Sequence, residues 1–209
     1  MKYVVWLFLF QLLSLPGRTQ EYESKLNNQG LQLLNDGNFK EALPIFEKLV
    51  EYDSANQVYR HNRAIAYFNL KMYQKALDDY LLLSRLVSDN AEYLFQAGNV
   101  YDHLNKFPEA LSFYNRAIRL EKDNFMYFFK RGTAFLKTNK IPEAIFDFND
   151  ALELNPSHSN SLHNRAIALY QTGKTKEACI DWCDASLLGN STAGLHLSRN
   201  CKTYPPRCK

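Results

Sequence analysis

An all-α solenoid of helix–turn–helix repeats is the fold class the sequence predicts, and a shared period with an alternation of small and large residues predicts it. Ala42, Ala76, Ala110, Ala144 and Ala178 recur at one constant interval, and five coincidences at one period in a chain of 209 residues mark an internal repeat. Gly30, Ala64, Gly98, Gly132 and Ala166 form a small-residue column at the same period, and Leu33, Tyr67, Tyr101, Phe135 and Leu169 follow one helical turn later. Beyond the alanines come Phe46, Tyr80, Tyr114, Phe148 and Trp182, then Leu49, Leu83, Ala117, Ala151 and Ala185. Spacings of three and four keep one face of a helix apolar. Glycine or alanine at one crossing lets two backbones approach, and the aromatic fills the next hole.

In chain order, residues 1–19 read as a secretory signal peptide, with an N-terminal helix retained as an anchor as the alternative. Met1 and Lys2 supply a positive start, residues 3–15 are almost wholly apolar, and Pro16-Gly17-Arg18-Thr19 breaks the run. Gln11 and Ser14 interrupt it before the length a membrane span needs. The formal net charge of +3 falls close to zero once Lys2 and Arg18 are removed with that segment. A near-neutral chain lacks the concentrated basic surface that nucleic acid or an anionic membrane would require.

The first repeat, 23–56, is predicted to hold helices at 22–36 and 39–52, with Gly37 supplying the left-handed residue that stops the first. The second, 57–90, turns at Lys71-Met72, and the third, 91–124, turns at Asn105-Lys106. Pro108, and Pro142 in the fourth repeat, 125–158, sit in the first turn of a second helix, where a missing N–H costs nothing. Asn155-Pro156 ends that helix, and the fifth repeat, 159–192, turns at Thr172-Gly173-Lys174. Residues 193–209 form a C-terminal cap whose helix is predicted at 193–200.

These columns resemble the tetratricopeptide repeat, a helix–turn–helix unit that recurs at this period. The resemblance covers residues 23–192, is closest in repeats two to four, and weakens at Leu26 and Thr175 in the terminal repeats. It implies a right-handed superhelical α-solenoid closed by the short capping helix, and a protein that binds proteins rather than one that catalyses.

Short turns make each first helix antiparallel to its second, so stacked repeats line one surface with first helices. The small and large columns point into the stack, which leaves the offset residues for that surface. They are His61, Asn62 and Ile65, then Phe95 and Asn99, then Met126, Phe129 and Thr133, and finally His163 and Ile167. A mixed apolar and aromatic groove of this kind suits a peptide or helix of another protein. The alternatives are self-association into a homo-oligomer and a non-catalytic place in an envelope complex.

A variant of the family grips a peptide's terminal carboxylate with lysine, asparagine and arginine side chains. His61-Asn62-Arg63-Ala64 and His163-Asn164-Arg165-Ala166 resemble its middle repeat. The preceding repeats should carry Lys and Asn but hold Asn27 and Leu31, or Phe129 and Thr133, and the repeat after the second should carry Lys and Arg but holds Glu92 and Gln96, so a carboxylate would meet only amides. That clamp is set aside, and Arg63, Arg131 and Arg165 read as framework residues laid over the repeat's own aromatics. Lys130-Arg131 and the scattered Lys-Glu pairs read as solvated faces, and Asp78-Asp79 and Asp147-Asp150 meet no catalytic partner. None of the five histidines lies three or four residues from another His or Cys, and no glycine-rich phosphate loop occurs. No enzyme activity, cofactor, metal or small-molecule substrate is therefore expected.

All four cysteines, Cys179, Cys183, Cys201 and Cys208, lie at the C-terminal end. In an exported protein an even cluster reads as two disulfides. A capping helix antiparallel to the one holding Cys179 and Cys183 would bring Cys179 to Cys201, leaving Cys183 for Cys208 after the Tyr204-Pro205-Pro206 turn. A Cys179–Cys183 bridge is disfavoured because one helical turn aims the two side chains poorly. The spacings suit neither a four-thiolate zinc site nor a redox-active pair. The stretch 177–189, with a later cysteine, is similar to the C-terminus of exported tetratricopeptide proteins of Bacteroidetes-type bacteria. That similarity implies a periplasmic or outer-membrane-associated setting, with secretion as the alternative.

Overall fold

Eleven helices are described among residues 16–202 of the computed structural model. They are α1 (Pro16–Asn35), α2 (Phe39–Tyr52), α3 (Gln57–Asn69), α4 (Tyr73–Leu86), α5 (Ala91–His103), α6 (Phe107–Leu120), α7 (Phe125–Lys137), α8 (Ile141–Leu154), α9 (Ser159–Gln171), α10 (Thr175–Leu187) and α11 (Ser191–Asn200). Each predicted repeat holds one pair, and α11 is the cap. The first helix starts earlier than the sequence suggested, at Pro16 instead of residue 22. A proline needs no N–H partner in a first turn, so Pro16, which ends the apolar run, also opens the helix. The rest of the expected signal peptide, residues 1–15, lies outside the described residues.

The turns inside the repeats share one construction. Gly37, Lys71, Asn105, Asn139 and Gly173, which recur at the interval of the alanines, all adopt left-handed backbone conformations with φ between 57° and 79°. The next N–H then reaches back to the large apolar column: Asn38 to Leu33, Met72 to Tyr67, Lys106 to Tyr101, Lys140 to Phe135 and Lys174 to Leu169, at 2.8 to 3.0 Å. This closure satisfies the last carbonyls of the first helix and sets the chain to run back along it. Between repeats, Asn56, Asn90 and Asn124 cap the next first helix by accepting from its opening N–H groups.

The small column does what its size requires. A β-carbon at Gly98 would come within 2.7 Å of the Tyr114 ring, one at Gly132 within 2.9 Å of Phe148, and one at Gly30 within 2.7 Å of Phe46. Phe46, Tyr80, Tyr114, Phe148 and Trp182 are all essentially sealed from water.

The helices form two compact units, Met1–Leu86 and Val87–Lys209, which divide between repeats two and three. In the first, α1 packs on α2, α2 on α3 and α3 on α4, with α1 also against α3. In the second, every helix packs on the next from α5 to α11, and the first helices α5, α7 and α9 also meet side by side. Each unit thus has the adjacent-helix pairing of an α-solenoid, with a layer of first helices and a layer of second helices.

The C-terminal end is closed covalently. Cys179 in α10 is bonded to Cys201, the residue after α11, with their Cα atoms 5.7 Å apart. Cys183 is also disulfide-bonded, while its predicted partner Cys208 lies outside the described residues. Ala193 of the cap helix is fully buried, and Gly194 beside it lies against Ser186 of α10. Among the described residues no helix is long and apolar enough to cross a membrane.

The Cys179–Cys201 bridge spans a sequence separation of 22. Cys201→Ser should therefore lower stability by about 3 kcal/mol through the freed chain entropy of the unfolded state. Urea unfolding of the oxidised protein checks the loss, and hydrogen exchange should place the lost protection first in α11.

Candidate functional site

The ten residues assigned to the groove divide between the two units and differ in how much of each side chain is free. In the first unit, His61 is half-buried with its ring edge-on to Tyr80 at 5.8 Å, and Ile65 is half-buried beside it in α3. Asn62 is buried, and among the described residues no hydrogen-bond partner meets its Nδ2. In the second unit, Met126 and Phe129 are half-buried at the edge of the core, and Phe129 meets the His158 ring edge-on at 4.7 Å. Thr133 Oγ1 donates to the Phe129 carbonyl at 2.8 Å and accepts from Asn164 Nδ2 at 3.3 Å, so it links α7 to α9. His163 lies 5.4 Å from the His196 ring of the cap, and Ile167 packs at the edge of the C-terminal core.

Phe95 and Asn99 correct the expectation, as does Asn62. Phe95 is only 6 % exposed, held between Tyr114 at 5.7 Å and Tyr127 at 4.6 Å. It is core: the ring is taken up between its own repeat's second helix and the start of the next first helix. Asn99 is buried with it and accepts from the Tyr114 hydroxyl at 3.1 Å. Burying these side chains leaves α7 and α9 to carry most of the accessible predicted surface of the second unit.

The three framework arginines are aromatic neighbours in two cases, with Arg63 5.7 Å from the Tyr67 ring and Arg131 5.7 and 5.9 Å from Phe128 and Phe135. Their principal partners were missed. Arg63 grips Asp79 at 2.8 and 2.7 Å, Arg131 grips Asp147 at 2.8 and 2.6 Å, and Arg165 grips Asp181 at 2.7 and 2.8 Å. Each is a two-pronged pair between the first and second helix of one repeat, and each aspartate is buried. Arg131 and Arg165 also donate to Asn115 and Asn149 of the preceding second helix, at 2.7 and 2.8 Å. Burial raises the Asp147 and Asp181 carboxyls above their ordinary value, and the guanidinium offsets only part of that shift. The signal was present in the sequence: Asp follows Arg at one fixed offset in repeats two, four and five, while repeat three has Ala97 and Phe113 in their places.

Sequence profiles of the tetratricopeptide repeat match residues 27–91, 91–124 and 129–193. The chain belongs to the tetratricopeptide-repeat family. A small glutamine-rich tetratricopeptide repeat-containing protein of Dictyostelium discoideum is 37 % identical over 68 residues, which cover 32 % of this chain and 20 % of that one. The chain therefore matches only about a fifth of that relative's length. Among solved structures, MamA of Desulfovibrio magneticus RS-1 superposes with a TM-score of 0.74 at 16 % identity, over 81 % of this chain and 96 % of that one. YrrB, a tetratricopeptide protein with an unusual peptide-binding site, superposes with a TM-score of 0.68 at 20 % identity, over 83 % and 90 % of the two chains. At these identities the likeness is one of fold.

Within the tetratricopeptide repeats of the second unit and their cap, two further histidines are engaged by neighbouring side chains. His158 Nδ1 lies 2.7 Å from Ser161 Oγ, and the Trp182 ring stacks on His196 at 5.0 Å. Among the described residues no group of three His, Cys, Asp or Glu side chains could hold a metal ion.

The buried polar groups of these repeats can be tested one at a time. Arg131→Ala should cost about 3–5 kcal/mol, because it strands the Asp147 carboxylate. Arg131→Ala with Asp147→Phe should recover most of that, since it installs what repeat three already carries; urea unfolding of the pair measures both. Burial also holds the His158 and His163 rings below their ordinary pKa of 6.5. Below that value the unfolded chain takes up protons that the folded rings refuse, so their contribution is complete above about pH 6.5 and is lost as the pH falls. Melting temperatures taken from pH 7.5 to 5 should drop less for His158→Gln with His163→Gln than for the wild type.

Proposed function

We propose that the protein is an exported, non-catalytic scaffold that docks a segment of another exported protein on its first-helix faces. The observation that carries this reading is the half-buried face of α7 and α9, where Met126, Phe129, Thr133, His163 and Ile167 are neither sealed in the core nor fully solvated. Such a face can bury further apolar area against a partner without unfolding anything. Membership of the tetratricopeptide-repeat family supports a protein-interaction role, and the peptide-binding site described for YrrB is a precedent within the same fold.

Export is part of the proposal. The apolar run at 3–15 behind a basic start supports it, as does the disulfide between Cys179 and Cys201, of a kind that persists in oxidising compartments. A periplasmic or outer-membrane-associated place fits both. Self-association is the second reading, favoured by apolar Leu187 and Leu195, which stand largely exposed at the C-terminal end.

Photo-crosslinking separates these readings. A photoreactive residue at Met126 or Thr133 should capture a different protein in the periplasmic fraction, whereas one at the exposed Phe146 of α8 should not. Capture from Phe146 alone would sink the first-helix reading. Capture of a second copy of the chain would establish self-association instead. Recovery of the protein with its N-terminus intact from the cytoplasmic fraction only would remove export.

A further inference from the structure

The first-helix face of the second unit sets two lysines, Lys130 and Lys137, around a single buried carboxylate, Asp102. Met126, Phe129, Lys130, Thr133 and Lys137 recur at three- and four-residue steps and so share one side of α7. Lys137 reaches across to α5, where its Nζ donates to both carboxylate oxygens of Asp102 at 2.9 and 2.8 Å. Asp102 is buried, and both its oxygens are bonded to Lys137. The other buried carboxylates of the unit, Asp147 and Asp181, are held by Arg131 and Arg165.

Lys130 stands two turns from Lys137 on the same side of the helix. It is half-buried, and no ion pair or hydrogen bond reaches its ammonium among the described residues. Burial holds its pKa below the ordinary lysine value, Asp102 pulls it back up, and Lys137 presses it down again. Two cations therefore share one carboxylate on a partly dehydrated surface. A cation half removed from water and left unpaired is costly, and an incoming anion would relieve that cost. One lysine flanked by Met126 and Phe129 is not the extended basic stripe that a nucleic-acid backbone requires.

We propose that this face binds its partner through an acidic side chain, which seats on Lys130 while apolar neighbours in the same segment cover Met126 and Phe129. The inference rests on the docking role proposed for the face and adds the chemistry the segment must carry. The Lys137–Asp102 pair serves as the wall of the site: it fixes the second cation and keeps both Asp102 oxygens bonded to Lys137, so that Asp102 offsets the Lys130 charge only from a distance.

Peptides selected from a random library provide the test. They are displayed as N-terminal fusions so that no free terminal carboxylate is offered, and selected against the full oxidised protein. Wild-type selections should be enriched in Asp or Glu next to apolar residues. The enrichment should vanish for Lys130→Gln and persist for Lys130→Arg, with all three proteins melting alike. In the best peptide, changing the acid to its amide should weaken Kd about tenfold on the wild type and leave it unchanged on Lys130→Gln. Peptides that bind the α7 face without acidic enrichment, or whose enrichment survives Lys130→Gln, would overturn this inference and leave the docking role standing. Failure of any peptide to compete with crosslinking from Thr133 would remove both.

Discussion

How closely the two helices of a repeat can approach is the constraint on which the rest of the structure depends. At Gly98 the backbone of α5 lies so near the Tyr114 ring that even a methyl group would overlap it, and the same holds at Gly30 and Gly132. The close approach lets one aromatic side chain from each second helix fill the crossing completely. It also fixes the turn: helices packed that tightly must reverse within a few residues, which the left-handed residue and the bond back to the large apolar column accomplish. Crossing and turn are one device written twice in the sequence, so both share one period.

The ion pairs are built on that device. Because the crossing holds the two helices at fixed separation, an arginine just before the small position and an aspartate just before the aromatic meet in register. Burial raises Asp147 and Asp181 despite this contact, so the pairs are not a large source of stability. A second helix that slipped in register would leave a buried carboxylate without its fork, which would be costly. Arg131 and Arg165 extend the same control to the preceding repeat through Asn115 and Asn149. Repeat three achieves the crossing without charge, through Ala97 and Phe113, the latter packed 5.4 Å from Tyr101.

The framework was legible because periodicity alone carries it: the alanines, the small column and the aromatics each state the repeat independently. The Cys179–Cys201 bridge was legible for a related reason, since an antiparallel cap leaves few other positions for Cys201. The faces were less legible. Helical spacing assigns a direction to each side chain but not how far a neighbouring repeat covers it. Phe95 points toward the first-helix face and is nevertheless sealed by Tyr127 of the next repeat. The arginine–aspartate pairs were hidden by distance, because partners on two different helices fall outside the three- and four-residue spacings that reveal contacts within one helix. Lys130 was hidden by convention, since a lysine beside an arginine on a helix reads as solvated until its burial is known.

Charge placement separates these two jobs within one architecture. Where arginine and aspartate occupy the crossing between a first and a second helix, the carboxylate is consumed inside the repeat and nothing is left for a ligand. Repeat three has no such pair, and its buried acid, Asp102, stands on the first helix and turns to Lys137 of the next repeat. The charge has moved from the crossing within a repeat to the face between repeats. There a second lysine, Lys130, sits near the pair with no hydrogen bond to it, its charge only partly offset by Asp102. The variation in repeat three is thus of a different kind from the departures at the terminal repeats. Those reflect a missing neighbour, whereas this one exchanges an internal pair for a charged surface at a position where neighbours are present on both sides in sequence.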